Sequence, residues 1–149
     1  MGPSDDVDLS RMIERELAML ARRVDKLRRV MTLPDGTTLD RSAYLLLDHI
    51  DTDPAPTLGS LGATLQLDQS TVNRQVGALE RDQLVERVAG ADGVRAAQLR
   101  VTSRGRKQLN AARKLRASRV AHGLAGWSAK DRATLGRLLE RLNAALAAE

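Results

Sequence analysis

The 149-residue sequence contains no cysteine, which excludes disulfides, thiolate metal sites and thiol-based redox sensing. Aromatic residues are nearly absent as well: there is one Trp, one Tyr and no Phe. The core must therefore be built from Leu, Val, Ala and Met, which favours packed helices over a β-sandwich. A chain with so few aromatic rings is also poorly suited to binding single-stranded or flipped-out bases by stacking.

Long apolar runs are missing too. No stretch is long enough to span a membrane, and the acidic N-terminus, MGPSDDVD, lacks the apolar region of a signal peptide. We therefore expect a cytosolic protein. Apolar residues make up 42% of the chain and charged residues 29%, which is the composition of a folded globular protein. The length is that of one domain with a core of ordinary size.

The sequence offers no recognisable catalytic constellation. No nucleophile is accompanied by a base and an orienting group, and no glycine-rich loop is arranged to hold phosphate. His49, Asp51, Asp53 and His122 fit no standard spacing of metal ligands, and His49 ends an apolar helix, so a structural role is favoured over metal binding. We predict that the protein is not an enzyme and uses no metal or cofactor.

Positive charge is concentrated in one part of the chain. The formal net charge is +5, and residues 93–130 contain ten Arg or Lys residues and no Asp or Glu. The rest of the chain has 14 basic and 19 acidic residues. A polyanionic partner is compatible with this distribution, although a solvated helix face explains the second half of the basic block equally well.

The first third of the chain predicts two helices. Apolar residues recur every three or four positions from Leu9 to Met31, which indicates an amphipathic helix of about six turns. A helix of this length usually packs against partner helices from the same chain or from a second copy. Pro34-Asp35-Gly36 predicts a turn, and Asp40 is a suitable N-cap for a second helix that runs to about Ile50.

The centre of the chain predicts a short helix, a turn and a second helix. Thr57 caps the first helix, Gln66-Leu67 form the turn, and Asp68 caps the second helix. Val72, Val76 and Leu79 recur at helical spacing and form the face that packs on a core.

The opposite face of this second helix carries polar groups in its first two turns: Gln69, Ser70, Asn73 and Arg74. A helix that presents donors and acceptors at its N-terminal end suits insertion into the DNA major groove.

The remaining segment predicts a hairpin followed by two helices. Residues 85–88 and 98–101 alternate apolar and polar side chains around a tip at residues 89–97 that contains Arg95. Thr102 can cap a long helix to about Leu124, and Ser128 with Asp131 forms a capping box for the last helix.

Two segments, LGSLGATLQLDQSTVNRQVGALERDQLVERV and DGVRAAQLRVTSRGRKQL, resemble the helix-turn-helix and wing of the MarR family of bacterial transcription regulators. The densest match is Leu58 to Val85, where a Leu-Asp-x-Ser-Thr-Val-x-Arg pattern is present as Leu67 to Arg74. The wing closes with a Leu-x-Val-Thr-x-x-Gly pattern at Leu99 to Gly105. The resemblance implies a mainly α fold with a small β-hairpin wing. It implies a winged helix-turn-helix lobe at about residues 40–102, inside a single MarR-like domain that covers residues 1–149. Helices at about 9–31 and 103–148 would form a dimerisation region.

Two features depart from the family pattern. Gln66 stands at a turn position that usually holds glycine, so a non-glycine residue must fit that backbone. The wing is shorter than in many relatives and has a single tip arginine, Arg95, which implies weaker anchoring in the minor groove.

The family resemblance implies a homodimeric repressor that binds double-stranded DNA at a palindromic operator and is released by a small-molecule effector. The residues expected to contact DNA are Gln69, Ser70, Thr71, Asn73, Arg74 and Arg95. Tyr44 and His49 are the candidates for lining an effector site between the DNA-binding lobe and the dimer region. Arg104, Arg106 and Lys107 either touch phosphates or are simply solvated. The alternatives are a winged-helix module for protein–protein interaction and a non-specific DNA-packaging protein.

Overall fold

A computed structural model of the chain describes residues 3–26, 31–54, 56–89 and 97–148, with the side chains of residues 6–23 in the first helix. The helices are α1 (Pro3–Lys26), α2 (Arg41–Thr52), α3 (Leu58–Leu65), α4 (Gln69–Arg81), α5 (Ser103–Gly123) and α6 (Ala129–Ala147). The strands are β1 (Met31–Thr32), β2 (Thr38–Leu39), β3 (Val85–Val88) and β4 (Gln98–Val101). The mainly α fold with a small hairpin wing is therefore confirmed. Among the described helices, none combines the length and the apolar character needed to cross a membrane.

The chain divides into two compact units, Met1–Ala112 and Arg113–Glu149. The core of the first unit is filled by aliphatic side chains from α2, α3, α4, the strands and the start of α5. The largest side chains that are fully enclosed are Leu46, Leu47, Leu61, Leu109, Val72 and Val76. The expectation of an aliphatic core therefore holds for this unit.

The predicted caps are confirmed at three helices. Asp40 accepts from the Ala43 N–H, Thr57 from the Ser60 N–H and Asp68 from the Thr71 N–H. Each side-chain oxygen satisfies one of the N–H groups that a helix start leaves without an intrahelical partner. These caps determine where the three helices of the first unit's helical core begin.

The segment before α2 differs from the prediction. The amphipathic pattern suggested a helix through Met31, but Met31 begins β1; the helix that the structure describes is Pro3–Lys26, and residues 27–30 lie outside the described residues. Met31 pairs with Leu39 across an antiparallel two-stranded sheet, and both side chains are buried. The prediction was wrong at Met31, because pairing with Leu39 makes it a strand residue. The predicted turn at Pro34-Asp35-Gly36 lies inside this small hairpin, where Gly36 adopts a φ of 79°.

The wing hairpin has the predicted strand limits. β3 pairs with β4 in antiparallel register, Val85 opposite Val101 and Val88 opposite Gln98. The outer edge of β4 is also paired: the Leu99 N–H donates to the Pro56 carbonyl oxygen at 2.8 Å, and Thr57 bridges to Gln98. The base of the wing is thus attached to the segment that leads into α3.

Candidate DNA-binding surface

The turn between α3 and α4 is built around Gln66, which adopts the left-handed conformation with a φ of 51°. The turn closes through a 3.0 Å hydrogen bond from the Leu67 N–H to the Gly62 carbonyl oxygen. A Cβ at Gly62 would lie 3.2 Å from the Leu67 carbonyl oxygen, so this glycine allows the turn to approach α3 closely. The prediction that a non-glycine residue must fit the turn backbone is confirmed.

The start of α4 is organised by the carboxylate of Asp68. Its Oδ1 accepts from the Thr71 N–H at 2.8 Å and from the Ser70 hydroxyl at 2.5 Å, and its Oδ2 accepts from the Thr71 hydroxyl at 2.7 Å. The Ser70 hydroxyl, then the two donors of Thr71, hold the pKa of Asp68 well below its usual value. Asp68 therefore remains ionised at neutral pH.

These bonds also determine what Ser70 and Thr71 can do. Phosphate oxygens only accept hydrogen bonds, so a hydroxyl that contacts phosphate must donate its hydrogen. In this structure both hydroxyl hydrogens are donated to Asp68. Ser70 and Thr71 are thus placed next to the helix start as expected, but each must turn away from Asp68 before it can donate to phosphate.

Gln69, Asn73 and Arg74 are exposed on the outer face of α4. Residues four apart on a helix are neighbours, so Gln69 lies next to Asn73, and Ser70 next to Arg74. Within the part of the chain that the structure describes, neither Asn73 nor Arg74 has a hydrogen-bond or ion-pair partner. Val72, Val76 and Leu79 are buried on the inner face, which is the predicted core contact. The amide and the guanidinium are therefore presented outward from a helix that is firmly packed from behind.

The wing contributes two ion pairs that the sequence did not suggest. Arg87 contacts Glu80 of α4, and Arg100 contacts Glu86 on the neighbouring strand. Glu86 and Arg100 are direct cross-strand partners, so their proximity follows from the register. The Glu80–Arg87 contact joins a helix to a strand and has no local sequence signature. Arg95, the predicted minor-groove residue, lies outside the described residues.

The basic residues at the start of α5 are not equivalent. Arg104, Arg106 and Lys107 are all exposed, but Arg106 also lies 3.5 Å from Asp51 of α2, measured from Nη2 to Oδ1. Part of this basic run is therefore used inside the first unit.

Tyr44 and His49 are both half-buried on α2 but do not share a face. Residues five positions apart on an α-helix point about 140° away from each other. Two cavities lie near α2, of about 320 and 190 Å³, and both are lined by Ser42 and Gln75 and by neither Tyr44 nor His49. Among the described residues, no group of histidine and acidic side chains is placed to hold a metal ion.

Comparison with known proteins agrees with this geometry. The sequence model of the MarR family matches residues 37–96. The helix-turn-helix-type transcriptional regulator YxaD of Bacillus subtilis (strain 168) is 34% identical over 107 residues, which cover 72% of this chain and 75% of that protein. The chain belongs to the MarR family. It is therefore a DNA-binding helix-turn-helix transcriptional regulator.

Solved structures of MarR-family proteins share the fold. A MarR-family protein from Bacillus stearothermophilus superposes with a TM-score of 0.72 at 20% identity, covering 98% of each chain. FabT of Streptococcus pneumoniae, solved in complex with DNA, superposes with a TM-score of 0.71 at 21% identity, covering 93% of this chain and 96% of that one. At these identities the likeness concerns the arrangement of helices and wing.

Proposed function

We propose that this MarR-family regulator is a homodimeric repressor that binds a palindromic operator and is released by a small-molecule effector. The observation that carries the proposal is the pair of exposed side chains, Asn73 and Arg74, on the first two turns of α4. Because Val72 and Val76 on the opposite face are fully enclosed, the two polar groups have a rigid support. Rigid support makes base recognition less costly in side-chain ordering.

Each outward residue has a chemical role in this proposal. The guanidinium of Arg74 forks onto the O6 and N7 of a guanine, and the amide of Asn73 pairs with an adenine. Gln69 reads a neighbouring base or contacts the backbone. Ser70 and Thr71 donate to phosphates once they leave Asp68, and Arg95 enters the adjacent minor groove.

The exposure of large apolar side chains in both units supports the proposal of a second copy of the chain. On α1 they follow a helical stripe, and further ones lie on α5 and α6: Leu9, Ile13, Leu17, Leu20, Val120, Leu138, Leu139 and Leu146. Exposed apolar area of this extent is typical of a protein–protein interface. A dimer formed through the terminal helices, α1, α5 and α6, presents two copies of α4 to half-sites about 34 Å apart, one turn of duplex.

Release requires a ligand that binds one arrangement of the two lobes more tightly than the other. Tyr44 or His49 would contact such a ligand. Since the two side chains point in different directions from α2, we expect only one of them to do so.

The test begins with selection of duplexes from a random pool by the wild-type protein. Arg74→Ala is then compared with Arg81→Ala, an exposed arginine at the other end of the same helix. Arg74→Ala should lose roughly 1–3 kcal/mol of discrimination against a changed base pair, and Arg81→Ala should lose little. Fluorescence anisotropy at fixed salt measures binding, and light scattering checks that the dimer is intact.

Two results would contradict the proposal. Unchanged duplex binding by Arg74→Ala would indicate a protein-interaction module. Binding with a steep salt dependence and no preference for the selected sequence would indicate non-specific DNA packaging. In vitro transcription from a promoter that carries the selected site measures the sign of regulation.

A further inference from the structure

The side chains of Glu80 and Arg87 connect α4 to the wing hairpin formed by β3 and β4. Arg87 Nε donates to Glu80 Oε1 at 2.8 Å, and Arg87 Nη2 donates to Glu80 Oε2 at 3.2 Å. Contact through both oxygens fixes the orientation of the two side chains as well as their distance. Glu80 raises the pKa of Arg87 further, through the hydrogen bond and its charge.

The strand alternation explains why Arg87 points towards α4. Side chains two apart on a strand share a face, so Arg87 lies on the same face as Val85, which is buried. Its cross-strand neighbour Leu99 is also buried. The neighbouring ion pair, Glu86 with Arg100 at 2.9 Å, belongs to the opposite face of the hairpin. One ion pair therefore joins the wing to α4, and the other stays within the wing.

The chain between α4 and the wing is short. Only Asp82, Gln83 and Leu84 separate the two elements, and Gln83 adopts the left-handed conformation with a φ of 59°. The Leu84 N–H donates to the Leu79 carbonyl oxygen at 2.8 Å, which fixes where the chain leaves the helix. The base of the hairpin is also held by the hydrogen bond from the Leu99 N–H to the Pro56 carbonyl oxygen and by the burial of Val85 and Leu99. The ion pair of Arg87 with Glu80 adds a side-chain contact to this anchoring, one residue before the end of β3.

We propose that Glu80 and Arg87 are positioning residues that hold the wing at the angle at which its tip and α4 reach DNA together. The inference rests on the proposed function, because it assumes that both elements contact one duplex. Because the ion pair orders the wing in the free protein, the conformational entropy lost by ordering it does not weaken DNA binding. Arg87 then acts through Glu80 and not through a phosphate.

Substitution of Glu80 separates the two roles, because they predict opposite signs. If Arg87 contacted phosphate, Glu80→Gln would remove a nearby negative charge, free Arg87 and strengthen binding. If the pair positions the wing, Glu80→Gln should weaken binding although it makes the protein more positive. We expect Glu80→Gln and Arg87→Gln each to weaken binding to the selected duplex by roughly fivefold, which corresponds to the upper range for a partly exposed ion pair. The exchanged pair, Glu80→Arg with Arg87→Glu, should recover much of the loss.

Glu86→Gln is the control, since it breaks an ion pair of similar N–O distance, made through a single hydrogen bond, on the other face of the same hairpin. It should not weaken binding. Hydrogen exchange of the amides in residues 85–88 and 98–101 of the free protein supplies a readout independent of DNA. Exchange should accelerate in Glu80→Gln and Arg87→Gln, and not in Glu86→Gln.

The outcomes are distinguishable. Tighter DNA binding by Glu80→Gln overturns the positioning role. So does an Arg87→Gln variant in which the slope of log affinity against log salt concentration falls by about one, the value for one lost phosphate contact. If the wild-type protein selects no duplex, the proposed function fails instead. In that case unchanged wing exchange in Glu80→Gln still overturns this inference.

Discussion

The hydroxyl of Thr102 donates to the carbonyl oxygen of Gln83 at 2.7 Å. The same hydroxyl accepts from the Gly105 N–H at 3.0 Å, as the N-cap of α5. Gln83 directly follows the C-cap of α4 and holds a left-handed φ of 59°. The Thr102 side chain thus joins the residue that follows the C-cap of α4 to the start of α5. Thr102 and Gly105, the two ends of the Thr-x-x-Gly pattern that closes the wing motif, therefore each have a structural role.

Gly105→Ala should be strongly destabilising. A Cβ at this position would lie 2.1 Å from the Leu84 carbonyl oxygen and 2.9 Å from Val101 Cγ1. The start of α5 would have to move away from β3, and we expect a loss of about 3 kcal/mol in the free energy of unfolding. Urea unfolding at fixed protein concentration measures it.

Gly77→Ala is the control for this substitution. Gly77 lies inside α4, and an added Cβ would meet only Arg81 Nη1 at an ordinary 3.7 Å. Since alanine is the better helix former, this variant should be neutral or more stable by up to about 1 kcal/mol. Equal stability of the two variants would show that α5 does not need the close approach at Leu84.

Asp68→Asn tests the charge at the start of α4. Asparagine keeps an N-cap acceptor and removes the carboxylate that accepts from Ser70 and Thr71. Because folding lowers the pKa of Asp68 below its ordinary value of 3.8, its stabilising contribution is complete above that pH. The contribution is lost as the pH falls through the lowered folded-state value. The wild type should therefore exceed Asp68→Asn in stability at neutral pH, and the difference should shrink in strong acid.

Urea midpoints across the acid range measure this difference. NMR titration of the Asp68 carboxyl carbon measures the pKa directly and provides an independent check. Ser70→Ala should move the pKa of Asp68 towards 3.8, since the hydrogen bond from Ser70 is the largest cause of the lowered value. A stability difference that stays constant down to the lowest pH would refute the role assigned to the carboxylate.

Ile13→Asp tests the apolar stripe on α1. Half of the Ile13 surface is exposed in a single chain, with Leu9, Leu17 and Leu20 on the same side. If a second copy covers this stripe, an unpaired carboxylate there should raise the dimer dissociation constant by about tenfold or more. Sedimentation velocity measures the monomer fraction.

Arg15→Asp is the corresponding control, because Arg15 is exposed on a different side of α1 from Ile13. It should leave the dimer unchanged. If Ile13→Asp and the wild type dissociate equally, the stripe is not part of the dimer interface.

Much of the segment from α2 to β4 could be predicted, because its sequence patterns involve residues that are close together in the chain. An Asp or Thr before an apolar helical pattern caps the helix with its own side chain, so Asp40, Thr57 and Asp68 marked three helix starts. The alternation in residues 85–88 and 98–101 gave the strand limits. Burial of Val76 and exposure of Arg74 follow from the helical period.

Other features depended on which partner each residue meets in the folded chain. Met31 continued a helical spacing, but pairing with Leu39 across a turn made it a strand residue. Ser70 and Thr71 are predicted to contact DNA, and the structure adds that both hydroxyls are donated to the carboxylate of Asp68. The periodic pattern of α4 places a side chain on a face and does not say which neighbour it will bond.

The amino-acid sequence by itself was enough to predict the family, from its motifs. It also predicted the helix starts, the wing strands and the outward face of α4, because caps and periodicity depend on residues that are close together in the chain. Only the tertiary structure decided that Arg87 meets Glu80, that Arg106 meets Asp51 and that Gly105 lies against the Leu84 carbonyl. Those contacts arise when elements pack against one another, and packing geometry is a property of the whole core, not of any local stretch.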